Sequence, residues 1–198
     1  MHKSSGYLLH TITAICLITL MLTSGYTHAA AWDLGQLTAS LAQIGPSTAR
    51  FVEKKYIATL DRPIESSGEL SYSPPDKLEK RTLKPKPESM RLERNQLTLE
   101  RGKHTFAINL DESPEIAVLV ESIRATLAGD RRSLELNYIV KLSGTRNAWK
   151  LQLTPSDFDA RQKVERITLS GHDGNVQEVE VLQADGDRSL MTIEQLHP

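Results

Sequence analysis

Two short segments of the chain repeat hydrophobic residues at helical spacing, and each is bounded by helix-ending residues. In the first, between residues 32 and 44, the apolar positions are Leu34, Leu37, Leu41 and Ile44. Asp33 stands where an N-cap is favoured, and Gly45-Pro46 cannot continue a helix. This pattern predicts a helix over residues 32–44.

The second helical segment follows Ser113, which can act as a cap, and Pro114, which suits the first helical position. Gly129 stands just past its end, where a left-handed residue is common. The apolar stripe between them consists of Ile116, Leu119, Val120, Ile123 and Leu127. A stripe of this width predicts an amphipathic helix that covers a core or a cavity.

Elsewhere hydrophobic and polar residues alternate with period two, which is typical of strands with one buried face. Upstream candidates lie around residues 48–60, 66–72, 78–84, 88–94, 96–101 and 104–110. Residues 134–142 alternate most clearly, with Leu134, Leu136, Tyr138, Val140 and Leu142 on one face. Later turns at Ser143-Gly144-Thr145, His172–Asn175 and Asp185-Gly186 separate four further strands.

About eleven strands joined by short hairpins predict an antiparallel meander that is apolar on one face. A twisted sheet of that size curls, and the two amphipathic helices bury their stripes best on its concave side. The predicted fold class is α+β: a curved antiparallel sheet forming an incomplete (half) β-barrel, with helices over the concave face. Without repeats or a long linker, residues 32–198 are expected to form one domain.

Residues 1–31 have the pattern of a cleaved signal peptide. Lys3 precedes an uncharged apolar run from Leu8 to Leu22, and small residues allow cleavage after Ala29 or Ala31. An uncleaved anchor is the alternative, although the run is shorter than a spanning helix needs. The single cysteine, Cys16, would leave with the leader, which excludes disulfides and cysteine chemistry from the mature chain. The predicted location is the periplasm of a Gram-negative bacterium.

Charge and motifs exclude several classes of function. The 24 basic residues balance 25 acidic ones, so a nucleic-acid binder is not expected. His104, His172 and His197 form no metal-ligand motif, and no nucleophile elbow or phosphate loop is present. Asp185-Gly186-Asp187 is a turn rather than a calcium loop. We therefore expect no enzyme activity, cofactor or metal, and a monomeric protein.

The apolar face of the predicted sheet has two interpretations. It is either an ordinary core or the lining of a cavity, and scarce aromatics in so large a curled sheet favour a cavity. With the second helix it gives these candidate acyl-chain-binding residues: Leu70, Tyr72, Met90, Leu92, Leu97, Leu99, Phe106, Ile108, Leu119, Val120, Ile123, Leu136, Tyr138, Trp149 and Leu151.

A basic stretch also has two interpretations. It is a solvated strand edge near prolines, or a docking patch for a membrane receptor or an anionic headgroup. Its residues are Lys77, Lys80, Arg81, Lys84 and Lys86.

The order of elements resembles that of the periplasmic outer-membrane lipoprotein carriers, the LolA-like family. The residues that carry the resemblance are Phe51-Val52-Glu53-Lys54, Ser67–Tyr72, Pro75 and Gly171–Val176. The resemblance implies an incomplete barrel with lid helices over a hydrophobic cavity, and no catalysis. It further implies cargo acyl chains, an inner-membrane donor and an outer-membrane acceptor.

The chain departs from the family pattern at several positions. Pro74 replaces the basic residue that latches strand to lid, and Leu78 and Lys80 replace aromatic residues. The chain is therefore similar to a divergent paralogue, with a carrier of lipoproteins or lipids as the favoured hypothesis. The alternatives are a carrier of glycolipid or polyene-type lipids, and a sensor of the same fold that recognises lipoproteins or a membrane partner.

Overall fold

The computed structural model describes residues 32–196. The proposed signal peptide, its cleavage site, Cys16 and His197 lie outside the described residues, so those expectations stay predictions. Within that range no helix is long and apolar enough to cross a membrane.

The described part of the chain contains eleven strands, four α-helices and one 3-10 turn. The strands are β1 (Ser47–Tyr56), β2 (Ile64–Ser73), β3 (Lys77–Lys84), β4 (Glu88–Glu93), β5 (Gln96–Arg101), β6 (His104–Asn109), β7 (Tyr138–Thr145), β8 (Ala148–Pro155), β9 (Val164–His172), β10 (Asn175–Gln183) and β11 (Arg188–Gln195). The helices are α1 (Leu34–Leu41), α2 (Pro114–Leu127), α3 (Arg131–Asn137) and α4 (Phe158–Arg161), and the 3-10 turn is Leu110–Glu112.

All eleven strands form one antiparallel sheet in the order β6-β5-β4-β3-β2-β1-β11-β10-β9-β8-β7. Among the described residues, strands β6 and β7 are the two edges of this curved sheet, so it is not closed. This confirms the predicted half-barrel of about eleven strands with helices on its concave face. The first and last strands, β1 and β11, pair at the centre, where Phe51 lies opposite Ile193.

The connection between the two sheet edges runs over the sheet rather than along it. Eleven flat strands would place the edges ~48 Å apart, whereas α2, with 14 residues, is only ~21 Å long. Residues 110–137 nevertheless link β6 directly to β7. A curved sheet brings these edges closer together, and this mostly helical segment crosses its concave side.

Both predicted helices form, but only some of the predicted capping residues act as caps. The Asp33 carboxylate accepts a hydrogen bond from the Gln36 amide at 2.8 Å and caps α1, which ends at Leu41, earlier than predicted. Pro114 opens α2, but the Ser113 side chain makes no capping hydrogen bond. Gly129 adopts φ +65°, and a Cβ there would lie 2.2 Å from the carbonyl oxygen of Thr38. This glycine therefore lets the end of α2 approach α1 closely.

The predicted strand over residues 134–142 is wrong in its first half. Residues 131–137 form helix α3, and the strand begins only at Tyr138. The Asp130 carboxylate accepts from the Ser133 amide at 3.0 Å, which caps the helix. Leu134 is buried in the core, whereas Leu136 is 74% exposed to solvent. The period-two spacing of these leucines therefore did not indicate a shared sheet face.

The main core lies under one half of the concave surface. It joins side chains of β7–β10 to α1 and α3, and its fully buried members include Leu37, Leu41, Leu134, Trp149, Leu151, Leu153, Ile167 and Leu169. A smaller cluster of Leu92, Leu97 and Leu110 joins β4 and β5 to the start of α2. Between the two clusters the concave surface stays open.

Candidate functional site

Helix α2 is attached to the protein by its small and polar face. Ser122, Ala125 and Thr126 are its buried residues. Ser122 and Thr126 can be buried because their hydroxyls donate to carbonyl oxygens of the helix itself, at 2.7 Å and 2.6 Å. The Tyr138 hydroxyl donates to the Val118 carbonyl at 2.6 Å. Burial, with a smaller effect of Glu121, raises the pKa of Tyr138 and keeps this donor protonated.

With that face anchored, the apolar stripe of α2 is turned toward an open cavity of about 520 Å³. All five stripe residues predicted from the sequence line this cavity: Ile116, Leu119, Val120, Ile123 and Leu127. Aliphatic side chains from the sheet, including Ile167, Val179 and Met191, form the opposite wall. A concave, mostly apolar space of this size is typical of small-molecule or lipid sites.

Ten of the fifteen candidate acyl-chain-binding residues line the cavity. They are Leu70, Tyr72, Met90, Leu92, Leu97, Leu99, Ile108, Leu119, Val120 and Ile123. They come from β2, β4, β5, β6 and α2, so the structure brings together side chains that are up to 53 positions apart in the sequence, from Leu70 to Ile123. Their contact with a ligand remains a prediction.

The other five candidates lie outside the cavity lining, for two physical reasons. Tyr138, Trp149 and Leu151 belong to the core, because α1, α2 and α3 pack over that half of the sheet. Leu136 projects into solvent from α3, and Phe106 is 52% exposed. Phe106 lies on β6, an edge strand that pairs with β5 and with no other strand of residues 32–196, so its outer side is unshielded by them. The structure therefore places these five side chains outside the cavity lining, unlike the expectation from the sequence.

A charged cluster forms one end of the cavity, and sequence reasoning missed it. Glu53 is only 5% exposed, on the inner face of β1. Its carboxylate accepts hydrogen bonds from the Lys80 ammonium and, at 2.6 Å, from the Ser189 hydroxyl. The Lys55 Nζ lies 3.9 Å from the same carboxylate, and the Lys80 Nζ lies 4.9 Å from the centre of the Phe51 ring. The sequence signal was a glutamate at an inner-face position, two residues after Phe51.

The pKa of Glu53 is set by opposing effects. Burial raises it, but the charge of Lys80 and hydrogen bonds from Lys80 and Ser189, with a smaller effect of Lys55, bring the net pKa below the ordinary value of 4.5. Because the folded pKa is lower than the unfolded one, ionised Glu53 stabilises the fold above pH 4.5. This stabilisation is lost as the pH falls from that value through the folded pKa.

We therefore expect the double variant Glu53→Gln/Lys80→Met to lose less stability in acid than the wild type. Urea unfolding measured from about pH 6 to about pH 3 gives the slope of the unfolding free energy with pH. The control Lys54→Met/Glu65→Gln removes an exposed pair of the same type, 3.4 Å apart, from the opposite face of β1 and β2. It should keep the wild-type slope, and an equal slope in the Glu53 variant would contradict the prediction.

The basic stretch is not a solvated strand edge. Strand β3 is hydrogen-bonded to β2 on one side and to β4 on the other, so that interpretation is wrong. Lys80 points into the cavity, and Lys77 pairs with Glu93 at 2.9 Å. Arg81, Lys84 and Lys86 are exposed. A docking role for the exposed members of this stretch stays a prediction, whereas Lys80 is unavailable to an outer surface.

Two further observations concern chemistry other than binding. Across residues 32–196, no group of three or more His, Cys, Asp or Glu side chains is placed to hold a metal ion. His172 lies beside Asp173 in the β9–β10 turn, at 3.7 Å, and is well exposed to solvent. The cavity and its charged end, which join side chains from several strands and α2, are the candidate functional site.

Comparison with known proteins agrees with this architecture. The family described as outer membrane lipoprotein carrier protein LolA-like matches residues 26–193. No curated protein sequence matches the chain significantly.

Solved structures of similar shape come from several bacteria. A LolA superfamily protein of Nitrosomonas europaea has 8% identity and a TM-score of 0.46, over 83% of this chain and 92% of the other. A DUF1329 family protein of Desulfovibrio piger has 12% identity and a TM-score of 0.49, over 82% and 89%. LprF of Mycobacterium bovis has 9% identity and a TM-score of 0.37, over 83% and 91%. These scores are low, so the family assignment rests on the sequence match.

Proposed function

The chain belongs to the outer membrane lipoprotein carrier LolA-like family, and on this basis we propose that it carries lipid-bearing cargo through the periplasm by shielding acyl chains in its cavity. The cargo is a lipoprotein or a lipid, and the route runs from an inner-membrane donor toward the outer membrane. The periplasmic location rests on the leader pattern of residues 1–31 and on the family. In this proposal the protein is a binding protein and not an enzyme.

One observation carries the proposal: α2 buries its small, polar face most deeply, while its apolar stripe is only partly buried against the two core clusters and lines a cavity that the protein does not fill. A helix normally does the opposite, because burying the aliphatic stripe is what stabilises it. Leaving aliphatic side chains of α2 and the sheet beside an open cavity costs stability unless another apolar group covers them. An acyl chain has the required shape and chemistry.

The energy available is sufficient for transport. Each buried CH₂ group contributes about 0.8 kcal/mol, so a 14-carbon chain gains on the order of 10 kcal/mol before ordering costs. That gain would hold a lipid-bearing cargo away from water. Release then requires the bound chain to be uncovered, and displacement of α2, which bears Leu119, Val120 and Ile123, would do this.

The experiment is to purify the protein from its native compartment, extract it with organic solvent and identify bound lipids by mass spectrometry. The proposal predicts lipid in near-stoichiometric amount, and uptake of a fluorescent fatty-acid probe by the delipidated protein. A protein that is empty after purification and takes up no probe would overturn it. Crosslinking in cells adds a second readout, because a carrier has transient partners whereas a sensor of the same fold holds one stable partner.

A further inference from the structure

The formal charges of the side chains that line the cavity do not sum to zero. Its lining includes Glu53, Lys55, Glu79 and Lys80. The Glu79 carboxylate is matched by Arg91 at 3.6 Å and also accepts from Ser89. Glu53 is then left with two lysines, so this end of the cavity carries one formal positive charge in excess.

Neighbouring carboxylates of the described inner face do not supply the missing negative charge. Glu88 lies two residues before Met90 on β4, on the same face, and its carboxylate accepts a hydrogen bond from Arg101 at 2.6 Å. Glu65 belongs to the outer face, where it pairs with Lys54. The lowered pKa of Glu53 means that the carboxylate is ionised at neutral pH, so the excess is one charge rather than two.

Both lysines are accessible to a group inside the cavity. The Lys80 side chain is 22% exposed and that of Lys55 is 54% exposed. Lys55 and Lys80 converge on Glu53 from β1 and β3, and Ser189 adds a hydroxyl from β11. Beyond this cluster the lining is mostly apolar, and Leu70 and Met191 are among the residues that continue it.

We propose that Lys55 and Lys80 form a subsite for the anionic headgroup, a carboxylate or a phosphate, of an amphiphile whose acyl chain occupies the cavity. This inference rests on the proposed function. One negative headgroup matches the single excess charge, and charge-assisted hydrogen bonds from lysine are strong where water is partly excluded. The acyl chain then runs from the cluster along the aliphatic lining, so the site selects acidic amphiphiles over neutral ones.

The test measures the ratio of two affinities on the delipidated protein. Myristic acid and methyl myristate have the same chain and differ in headgroup charge, and each displaces the uncharged fluorescent probe N-phenyl-1-naphthylamine. The wild type is expected to bind the acid about tenfold more tightly, which corresponds to about 1.4 kcal/mol. Lys55→Met, at an exposed position that leaves the Glu53–Lys80 pair intact, is expected to bring the ratio close to one.

Two further variants separate charge from structure. Glu53→Gln removes the competing carboxylate, so it is expected to raise the preference for the acid, which loss of a merely structural contact would not do. Lys54→Met removes the same charge from the adjacent residue on the opposite face of β1 and is expected to keep the wild-type ratio.

The outcomes distinguish the two proposals. Binding of acid and ester with equal affinity would overturn the headgroup subsite and leave the carrier proposal standing. Failure of both ligands to displace the probe, or of the probe to bind, would overturn both proposals. Millimolar inorganic phosphate is expected not to displace the probe or to weaken acid binding. If phosphate alone competes with the acid, the cluster binds free anions and the headgroup assignment is wrong.

Discussion

Replacing Ile123 by glutamate is expected to abolish uptake of a fluorescent fatty-acid probe while leaving the protein folded. Ile123 lies on the stripe of α2 that faces the cavity, outside the helix face that anchors it. A carboxylate there must lose its hydration when an acyl chain enters, at a cost of several kcal/mol. We expect the affinity for the probe to fall by about a hundredfold or more, measured by fluorescence titration.

The matched control for Ile123→Glu is Val52→Glu. Val52 is 47% exposed on the outer face of β1, so the same new charge lies on the opposite side of the sheet. Probe affinity should equal that of the wild type, and circular dichroism should show that both variants are folded. Normal uptake by a folded Ile123→Glu protein would show that the probe binds elsewhere.

Replacing Trp149 by alanine is expected to destabilise the protein by about 3–5 kcal/mol. Trp149 is 1% exposed and packs in the main core. Its ring lies against Gly171, where an added Cβ would be 2.9 Å from the Trp149 Cζ2, and its Nε1 donates to the Asp173 carbonyl at 2.9 Å. The substitution therefore leaves a cavity and removes the hydrogen bond that ties β8 to the β9–β10 turn.

Urea unfolding measures this loss of stability, and two further variants show where it comes from. Trp149→Phe keeps most of the apolar contact but not the hydrogen bond, so it should cost less than the alanine variant. Phe158→Ala removes an aromatic ring that is 65% exposed on α4 and should change stability by less than about 0.5 kcal/mol. If Trp149→Ala were as stable as Phe158→Ala, the core would not lie where the structure places it.

The general architecture was predictable because its signals are local. Alternation with period two and short turns indicated eleven strands, and the stripe from Ile116 to Leu127 indicated the cavity-facing side of α2. Alternation also placed Leu97 and Leu99 on one face of β5, and both line the cavity. A strand pattern specifies which residues share a face, and in a curved sheet that face is the concave one.

The errors arose where long-range packing decides the outcome. Alternation groups Trp149 and Leu151 with the cavity residues, but it cannot show that α1 and α3 cover that half of the sheet. Phe106 is on the expected face, yet its exposure follows from the edge position of β6. For Leu136 the cap at Asp130 outweighed the alternating pattern.

The charged end of the cavity was hidden for a different reason. Lys80 was grouped with its basic neighbours in the sequence, since the pairing of β3 with β2 and β4 is not visible there. Its partner Glu53 comes from β1, 27 positions away, and Ser189 comes from β11, 136 positions from Glu53. A glutamate on the inner face of a strand indicates that a basic or hydroxyl partner exists. Only the register of the sheet shows which residue that partner is.

The pairing of the first strand with the last has a consequence for how the chain folds. Strands β1–β6 and β7–β11 are each built from neighbouring hairpins, which form quickly, while the β1–β11 seam needs contacts between the two ends of the domain. The seam cannot close until nearly the whole domain has been synthesised. Until then the apolar inner faces of the two half-sheets are exposed to solvent and prone to aggregation. The Glu53–Ser189 hydrogen bond spans this seam, so the polar end of the cavity is completed only when β1 and β11 pair.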